Sequence, residues 1–338
     1  MIFCVLLSKY LLLYHLAEVF ILSANKRKKR YRRMIKVLVT GANGMLASNL
    51  IDELLRKGYY VVGMVRRRSS YRGVQSENLE LFEGDFKNPQ HLEAALQGCS
   101  GIFHVAAITD QSLLKYEEYE AVNSKPIATL MNVVVKSGVK RVVLVSTANT
   151  IGNGTWEQPA NETKEWTAPL SQSFYARSKV DAEKIFKTYA HEVECITVNP
   201  TFMLGRFGTS AGSNQIFDMA HAVTFCPPGG KNFLDVEEAA RGIVLAYERG
   251  KSGENYLICG ENISFKDFFK RVKRVKYIII VPTFLMLFFG LIGNLLRALG
   301  IKVAFSLPNM KILCMPDAYV GDKARRELGF DPRPIAIS

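Results

Sequence analysis

The stretch Ile35-Lys-Val-Leu-Val-Thr-Gly-Ala-Asn-Gly-Met-Leu-Ala47 joins an apolar run to a glycine-containing turn and to the start of a helical pattern. Its first six residues predict a buried strand, and the apolar spacing after the turn predicts an amphipathic helix. Gly41 permits a tight turn, Gly44 lets a ligand approach the backbone, and the small Ala47 lets helix and strand pack closely. The free N–H groups of such a helix favour an anion, so we expect a phosphate group there.

The same order of strand, turn and helix recurs along the following 160 or so residues. Helical patterns separate further apolar runs at residues 60–65, 79–82, 101–105, 141–145 and 194–198. Strands that alternate with helices imply right-handed crossovers and a parallel sheet covered on both faces. The sequence therefore predicts an α/β fold with a doubly wound parallel sheet, the Rossmann fold, which binds dinucleotides.

The chain divides into three parts by pattern. Residues 1–33 are an apolar and basic extension, and residues 34–200 form the predicted dinucleotide-binding domain. The regularity weakens after Pro200, so residues 201–338 are assigned to a smaller C-terminal substrate lobe. This lobe is interleaved with the last Rossmann elements, at about residues 233–260, where a helix (236–247) and a strand (256–259) are predicted.

The net charge of +13 is concentrated at one end of the chain. Residues 1–33 contain eight Lys or Arg and one Glu, which gives +7, and the remainder is only mildly basic. No stretch of the body interleaves basic and aromatic residues, so no nucleic-acid partner is predicted. The six cysteines and five histidines show no ligand spacing; we predict reduced thiols, a cytoplasmic location and no metal site.

Two apolar segments leave membrane contact open. Residues 1–33 are either a membrane anchor with a positive flank or an upstream extension from a wrongly chosen start, since Met34 lies directly before the first strand. Residues 277–296 carry no charge, and this run of 20 residues is about as long as a membrane span. Pro282, Gly290 and Gly293 are expected to break that run into two short pieces, suited to a core or to a membrane surface.

Several residues at predicted strand ends fit a bound dinucleotide. Arg66 stands where an acidic residue would bind the ribose diol of NAD, and its guanidinium suits the 2′-phosphate of NADP. NADP is therefore the predicted cofactor, with NAD as the alternative. Asp85 is placed to accept from the adenine amino group, and the small Ala106 and Ala107 let the backbone lie against the cofactor.

Tyr175 and Lys179 lie four residues apart, on one face of a predicted helix. A phenol has an unperturbed pKa of about 10, so it exchanges protons near neutrality only if its phenolate is stabilised by positive charge. The Lys179 ammonium and a charged nicotinamide would supply that charge. Thr147, at the end of the fifth strand, is the predicted hydroxyl donor to the substrate oxygen. These three residues are the predicted catalytic group.

These residues resemble the extended short-chain dehydrogenase/reductase family from about Met34 to Pro334. Within it the chain is similar to the dihydroflavonol reductase and 3β-hydroxysteroid dehydrogenase branch. The resemblance is carried by residues 39–44, 103–107, 122–123, 145–147, 175–179, 199–200 and 233–236. It implies Tyr175 as acid/base, Lys179 on the nicotinamide ribose and Thr147 on the substrate. The implied cofactor contacts are Gly41, Asn43, Gly44, Met45, Leu46, Arg66, Asp85, Phe86, Ala106, Ala107, Asn123, Lys179, Pro200 and Met203.

Two departures from the family pattern bear on function. Sugar dehydratases place an Asp-Glu pair after the catalytic Thr, whereas Ala148-Asn149 follows Thr147 here. The chain also ends soon after Ile335, before the family's usual final helix, which is expected to impair activity if that helix is needed.

The predicted function is NADP-dependent reduction of a ketone or aldehyde, or oxidation of the alcohol. The alternatives are an NAD-dependent nucleotide-sugar epimerase and a dinucleotide-binding protein without turnover. A small carbonyl or alcohol compound is the predicted partner. A homodimer is left open, as is membrane-surface contact through residues 1–33 or 277–296.

Overall fold

The structure is a computed structural model that describes residues 34–208, 212–275 and 277–335. Residues 36–338 form one compact unit. The predictions made for residues 1–33 concern residues outside those that the structure describes.

A parallel sheet of seven strands forms the centre of the described structure, in the order β10-β6-β5-β4-β1-β2-β3. Its strands in chain order are β1 (Lys36–Thr40), β2 (Tyr60–Val65), β3 (Leu79–Glu83), β4 (Gly101–His104), β5 (Arg141–Val145), β6 (Glu194–Pro200) and β10 (Asn255–Ile258). Every predicted strand is present within one or two residues at its ends. The doubly wound α/β fold is confirmed.

Helices cover both faces of this sheet. One face carries α1 (Met45–Arg56), α7 (Val236–Arg249) and α11 (Asp322–Leu328). The other carries α2 (Pro89–Ala95), α4 (Lys125–Ser137) and α5 (Phe174–Lys187), and α3 (Tyr116–Asn123) packs on α4 and α5. Because both faces are covered, the strands are apolar almost throughout, as the sequence runs indicated.

A smaller lobe is built from segments that alternate with the last parts of the main sheet. It contains a three-stranded sheet of β7 (Phe202–Leu204), β9 (Gly230–Asp235) and β11 (Glu261–Ser264), and a pair of β8 (Phe225–Cys226) with β12 (Ile279–Ile280). Its helices are α6 (Gln215–Ala222), α8 (Phe265–Lys273), α9 (Thr283–Ala298) and α10 (Leu307–Leu313). The predicted interleaved C-terminal lobe is confirmed, and the division of the chain at residue 200 stays a prediction.

The apolar run at residues 277–296 divides at Pro282 and not at its glycines. Ile279–Ile280 form β12 before Pro282, and residues Thr283–Ala298 after it make one helix that includes Gly290 and Gly293, so the predicted break at the glycines is wrong. Both glycines face the segment that leads into α10: a Cβ on Gly290 would lie 2.9 Å from the Cα of Leu307. The glycines therefore permit close helix packing and do not interrupt α9. No helix in the described residues has the length and apolarity needed to cross a membrane.

The chain changes direction of winding between β1 and β4. From β1 it proceeds to β2 and β3 on one side, and β4 then lies on the other side of β1. Directly after β1, Gly41 has a φ of +68°, and a Cβ placed on it would lie 2.8 Å from the Cα of Ala106, which follows β4. The two loops thus touch through backbone atoms at the point where dinucleotides bind in this architecture.

Replacing Gly41 by alanine is expected to destabilise the protein more than replacing Gly58 by alanine. Both glycines have positive φ, +68° and +83°, so either substitution strains the backbone by about 1–2 kcal/mol. Only at Gly41 does the new methyl group meet neighbouring backbone, since nothing lies within 4 Å of the Cβ position at Gly58. Urea unfolding should give an additional loss of about 1–3 kcal/mol for Gly41→Ala. Equal losses would show that Ala106 does not constrain the turn.

Candidate active site

The predicted site residues gather at one edge of the main sheet. Because its strands are parallel, the residues that follow β1 to β6 emerge at the same edge. Gly41, Arg66, Asp85, Ala106 and Thr147 each follow a different strand of this series. The sheet therefore brings together residues that are more than 100 positions apart in the sequence.

The turn after β1 presents an uncapped helix end. Gly44 precedes α1 in an extended conformation, no side chain caps the helix, and its first turn contains no acid. Met45 and Leu46 begin α1, and Asn43 is exposed beside them. Backbone N–H groups and the positive end of the helix dipole are thus open to an anion. With the close contact of Gly41 and Ala106, this cradle fits the pyrophosphate of a dinucleotide.

The Thr40 side chain fixes the loop opposite this cradle. Its Oγ1 accepts hydrogen bonds from the backbone N–H groups of Val105 and Ala106, at 3.1 and 3.2 Å, and lies 3.0 Å from Nδ1 of His104. Burial lowers the pKa of His104 to about 3, and the nearby Lys179 charge acts in the same direction. The His104 imidazole is therefore neutral, and its Nδ1 can accept a hydrogen bond from the Thr40 hydroxyl.

The ends of β2 and β3 lie farther along the same edge. Arg66 is exposed at the end of β2, and within the described residues no carboxylate forms an ion pair with it. Asp85 is partly exposed, and its Oδ1 accepts from the backbone N–H of Lys87 at 2.9 Å. Phe86 packs edge-on against His104, with ring centroids 5.0 Å apart. Arg66 thus has no acidic partner among the described residues, whereas both oxygens of Asp85 are engaged by Lys87, Oδ1 by its N–H at 2.9 Å and Oδ2 by its ammonium at 3.7 Å.

Asn123 is buried beneath the loop that follows β4. Its Oδ1 accepts from the N–H of Ile108 at 2.8 Å, and its Nδ2 donates to Ile108 O and to Ser178 Oγ at 3.1 and 2.9 Å. Its hydrogen-bonding groups therefore join the loop of Ala106 and Ala107 to α5. Asn123 thereby holds the loop after β4 in place.

Tyr175 lies in the first turn of α5, where Ser173 caps the helix by accepting from Ala176 N–H. Burial raises the pKa of Tyr175 to about 12, and the nearby Thr147 hydroxyl acts in the opposite direction. The structure thus brings the predicted phenol and hydroxyl together. A pKa of about 12 also keeps the Tyr175 phenol protonated near neutrality, ready to donate its proton.

Lys179 is buried one helical turn after Tyr175 and donates to the carbonyl oxygen of Val145 at 2.8 Å. Burial lowers the pKa of Lys179 to about 8, and the negative charge of Glu183 opposes the change. The ammonium group remains mostly protonated at neutral pH and approaches half-charge near pH 8. It is held at the end of β5, two residues before Thr147.

A polar cluster behind Lys179 was not predicted from the sequence. Glu183 Oε1 accepts from Thr150 Oγ1 at 2.8 Å and from Asn199 Nδ2 at 2.9 Å, and Asn199 Nδ2 also lies 3.2 Å from Thr147 O. Burial raises the pKa of Glu183. The four-residue spacing of Tyr175, Lys179 and Glu183 is the signal that would have identified it. This cluster ties α5 to the backbone that carries Thr147.

Pro200 and Met203 close the site on the side of the small lobe. Pro200 is buried at the end of β6, opposite Ile258 of β10. Met203 lies on β7 and packs against the core of the main sheet. Pro200 ends β6 and Met203 follows it, so both lie at the same edge of the sheet as the other site residues.

Comparison with known proteins identifies the family and the fold of the chain. Residues 37–259 match the model of the NAD dependent epimerase/dehydratase family. A putative dihydroflavonol 4-reductase from Synechocystis sp. is 28% identical over 313 residues, which cover 88% of this chain and 90% of that protein. Cinnamoyl-CoA reductase 1 from Petunia hybrida is 27% identical over 246 residues, covering 67% of this chain and 73% of the relative.

Among solved structures, a dTDP-glucose 4,6-dehydratase from Streptomyces venezuelae with NAD bound shares the fold. Its TM-score is 0.68 at 22% identity, with coverage of 89% of this chain and 93% of that one. The cradle after β1 and the family match together identify the class of chemistry. The chain belongs to the NAD dependent epimerase/dehydratase family and is an NAD(P)-dependent oxidoreductase.

Proposed function

We propose that the protein is an NADP-dependent reductase that converts a ketone or aldehyde into an alcohol, or runs the reverse oxidation. The observation that carries the proposal is the placement of Tyr175 one helical turn from the buried Lys179, whose ammonium donates to the Val145 carbonyl oxygen two residues before Thr147. The relatives named as dihydroflavonol 4-reductase and cinnamoyl-CoA reductase support a carbonyl substrate.

The residues of the chain would divide the work as follows. Thr147 and Tyr175 donate hydrogen bonds to the substrate oxygen, and Tyr175 passes its proton to that oxygen as negative charge develops. Lys179 provides positive charge beside the phenol. A bound nicotinamide dinucleotide supplies the hydride for the carbonyl carbon. The Gly41 turn, the start of α1 and the Ala106–Ala107 loop would hold that dinucleotide.

Arg66 supports the choice of NADP over NAD. It is exposed at the end of β2 and has no ion-pair partner among the described residues, so its guanidinium is available to a 2′-phosphate. An NAD-dependent epimerase of the same family is the second candidate, because the matched family includes epimerases. Epimerases return the hydride to the substrate, so they do not consume the cofactor; this separates the two candidates.

Tyr175→Phe is expected to lower the turnover of the best substrate at least about 100-fold, because the variant lacks the proton donor. The substrate would come from a panel of aldehydes, ketones, sterols and nucleotide sugars, followed by NADPH absorbance. Binding of NADPH, titrated by its fluorescence, should stay within about twofold, since the cofactor cradle is untouched. The control is Tyr189→Phe, which changes a tyrosine in the turn after the C-terminal end of α5 and should keep full activity. Retained turnover in Tyr175→Phe would overturn the mechanism.

Arg66→Ala is expected to weaken NADPH binding about tenfold and to leave NADH binding unchanged, because only NADPH carries the 2′-phosphate. Titration of both cofactors against the parent and the variant measures this preference. Arg72→Ala removes another exposed arginine in the loop after β2 and should leave both affinities unchanged. The same NADPH to NADH ratio in the parent and in Arg66→Ala would remove the role assigned to Arg66.

A further inference from the structure

The side of α9 that faces solvent is apolar. Phe284, Phe288, Leu291 and Leu295 are 69%, 57%, 56% and 62% exposed, and the intervals of four, three and four residues put them on one side of the helix. We call these four side chains the apolar face. Four large exposed side chains along one side of a helix form a larger apolar patch than the single apolar residues scattered over an ordinary protein surface.

The opposite side of α9 fixes this orientation. Gly290 and Gly293 lie there, and a Cβ on Gly293 would fall 1.5 Å from the carbonyl oxygen of Phe305. Met286, the other buried residue of α9, lies on the same side. The helix cannot rotate to bury the apolar face because the large side chains would not fit where the glycines pack.

Neighbouring strands extend the exposed apolar surface. Ile279 of β12 pairs with Phe225 of β8, and both side chains are exposed, as is Tyr277. Tyr277 and Ile279 lie shortly before α9 in the chain, and Phe225 is paired with Ile279. Exposed apolar residues therefore occur both on α9 and in the strand pair that precedes it in the chain.

The segment that contains this surface carries charges of one sign, and the acids from other segments that reach it, Glu118 and Glu261, pair with Lys302 and Arg271. Residues 268–316 contain no Asp or Glu and eight Lys or Arg, namely Lys270, Arg271, Lys273, Arg274, Lys276, Arg297, Lys302 and Lys311. Arg274 precedes the apolar surface, Lys302 and Lys311 follow it, and all three are exposed. An anionic surface is complementary to this arrangement, whereas a second copy of the chain would bring like charges together.

We propose that the apolar face of α9 docks on the surface of an anionic phospholipid membrane, with the helix axis parallel to that surface. A helix of 16 residues is about 24 Å long, and helices with an apolar face and basic surroundings bind at the headgroup boundary. The proposal goes beyond the reductase function and does not depend on it.

Docking in this way would bring one wall of the active site close to the lipids. Arg297, in the last turn of α9, donates to the carbonyl oxygens of Gln111 and Leu113 at 3.3 and 2.6 Å. In the adjoining segment, Tyr119 of α3 donates to the carbonyl oxygen of Asp110. The loop that α9 holds thus leads into α3, which packs on α5, the helix that carries Tyr175.

The test uses the full chain and sedimentation with vesicles of phosphatidylglycerol and phosphatidylcholine in equal parts. The triple variant Phe284→Ser, Phe288→Ser, Leu295→Ser is expected to bind at least about tenfold more weakly than the parent. All three side chains are exposed, so the variant should fold normally. The control Ile35→Ser with Trp156→Ser removes two exposed apolar side chains elsewhere and should bind like the parent. Vesicles of phosphatidylcholine alone should bind the parent more weakly.

A second measurement reports directly on α9, independently of residues 1–33. In the variant Phe288→Trp, vesicles with brominated acyl chains should quench the added tryptophan emission, relative to the parent with its two tryptophans. Equal sedimentation of the triple variant and the parent, together with no added quenching, would overturn the proposal. A parent dimer that ignores vesicles and that the triple variant converts to monomers would also overturn it, because the face would then be an interface between copies.

Discussion

The backbone contact between the loops after β1 and β4 is the constraint on which the site depends. A Cβ on Gly41 would lie 2.8 Å from the Cα of Ala106, so a side chain at position 41 would separate the two loops. The Thr40 hydroxyl reinforces the contact through the N–H groups of Val105 and Ala106. Since α1 starts four residues after Gly41, at Met45, this contact also sets the direction of the helix end.

The electrostatics of the catalytic group follow from burial. Burial raises the pKa of Tyr175 to about 12 and lowers that of Lys179 to about 8. Both changes favour the neutral side chain, so the folded chain alone holds a protonated phenol beside a lysine of reduced basicity. Glu183 supports the charged form of Lys179, while Thr147 supports ionisation of Tyr175. A phenolate at neutral pH therefore requires positive charge beyond that of the chain, and an oxidised nicotinamide carries such charge.

The sequence predicted those parts of the fold that depend on local pattern. The inner strands around the site were identifiable because they are buried on both faces and hence apolar, as in Val142 to Val145, whereas the edge strand β3 is only partly buried. Tyr175 and Lys179 were identifiable because a helix aligns residues four apart. The continuity of α9 could not be predicted from the sequence, because Gly290 and Gly293 favour a break in a helix unless a second segment packs against them. The cluster of Glu183 with Asn199 was missed because its partners come from different strand ends.

A structure of the protein with NADP bound would test the central claim most directly, namely that one edge of the sheet holds both the dinucleotide and the Tyr175 proton donor. We predict the pyrophosphate within hydrogen-bond distance of the N–H groups at the start of α1, the 2′-phosphate beside Arg66, and the nicotinamide ring in contact with Tyr175 and Lys179. A dinucleotide bound away from the start of α1, or a nicotinamide ring out of reach of Tyr175, would contradict the account.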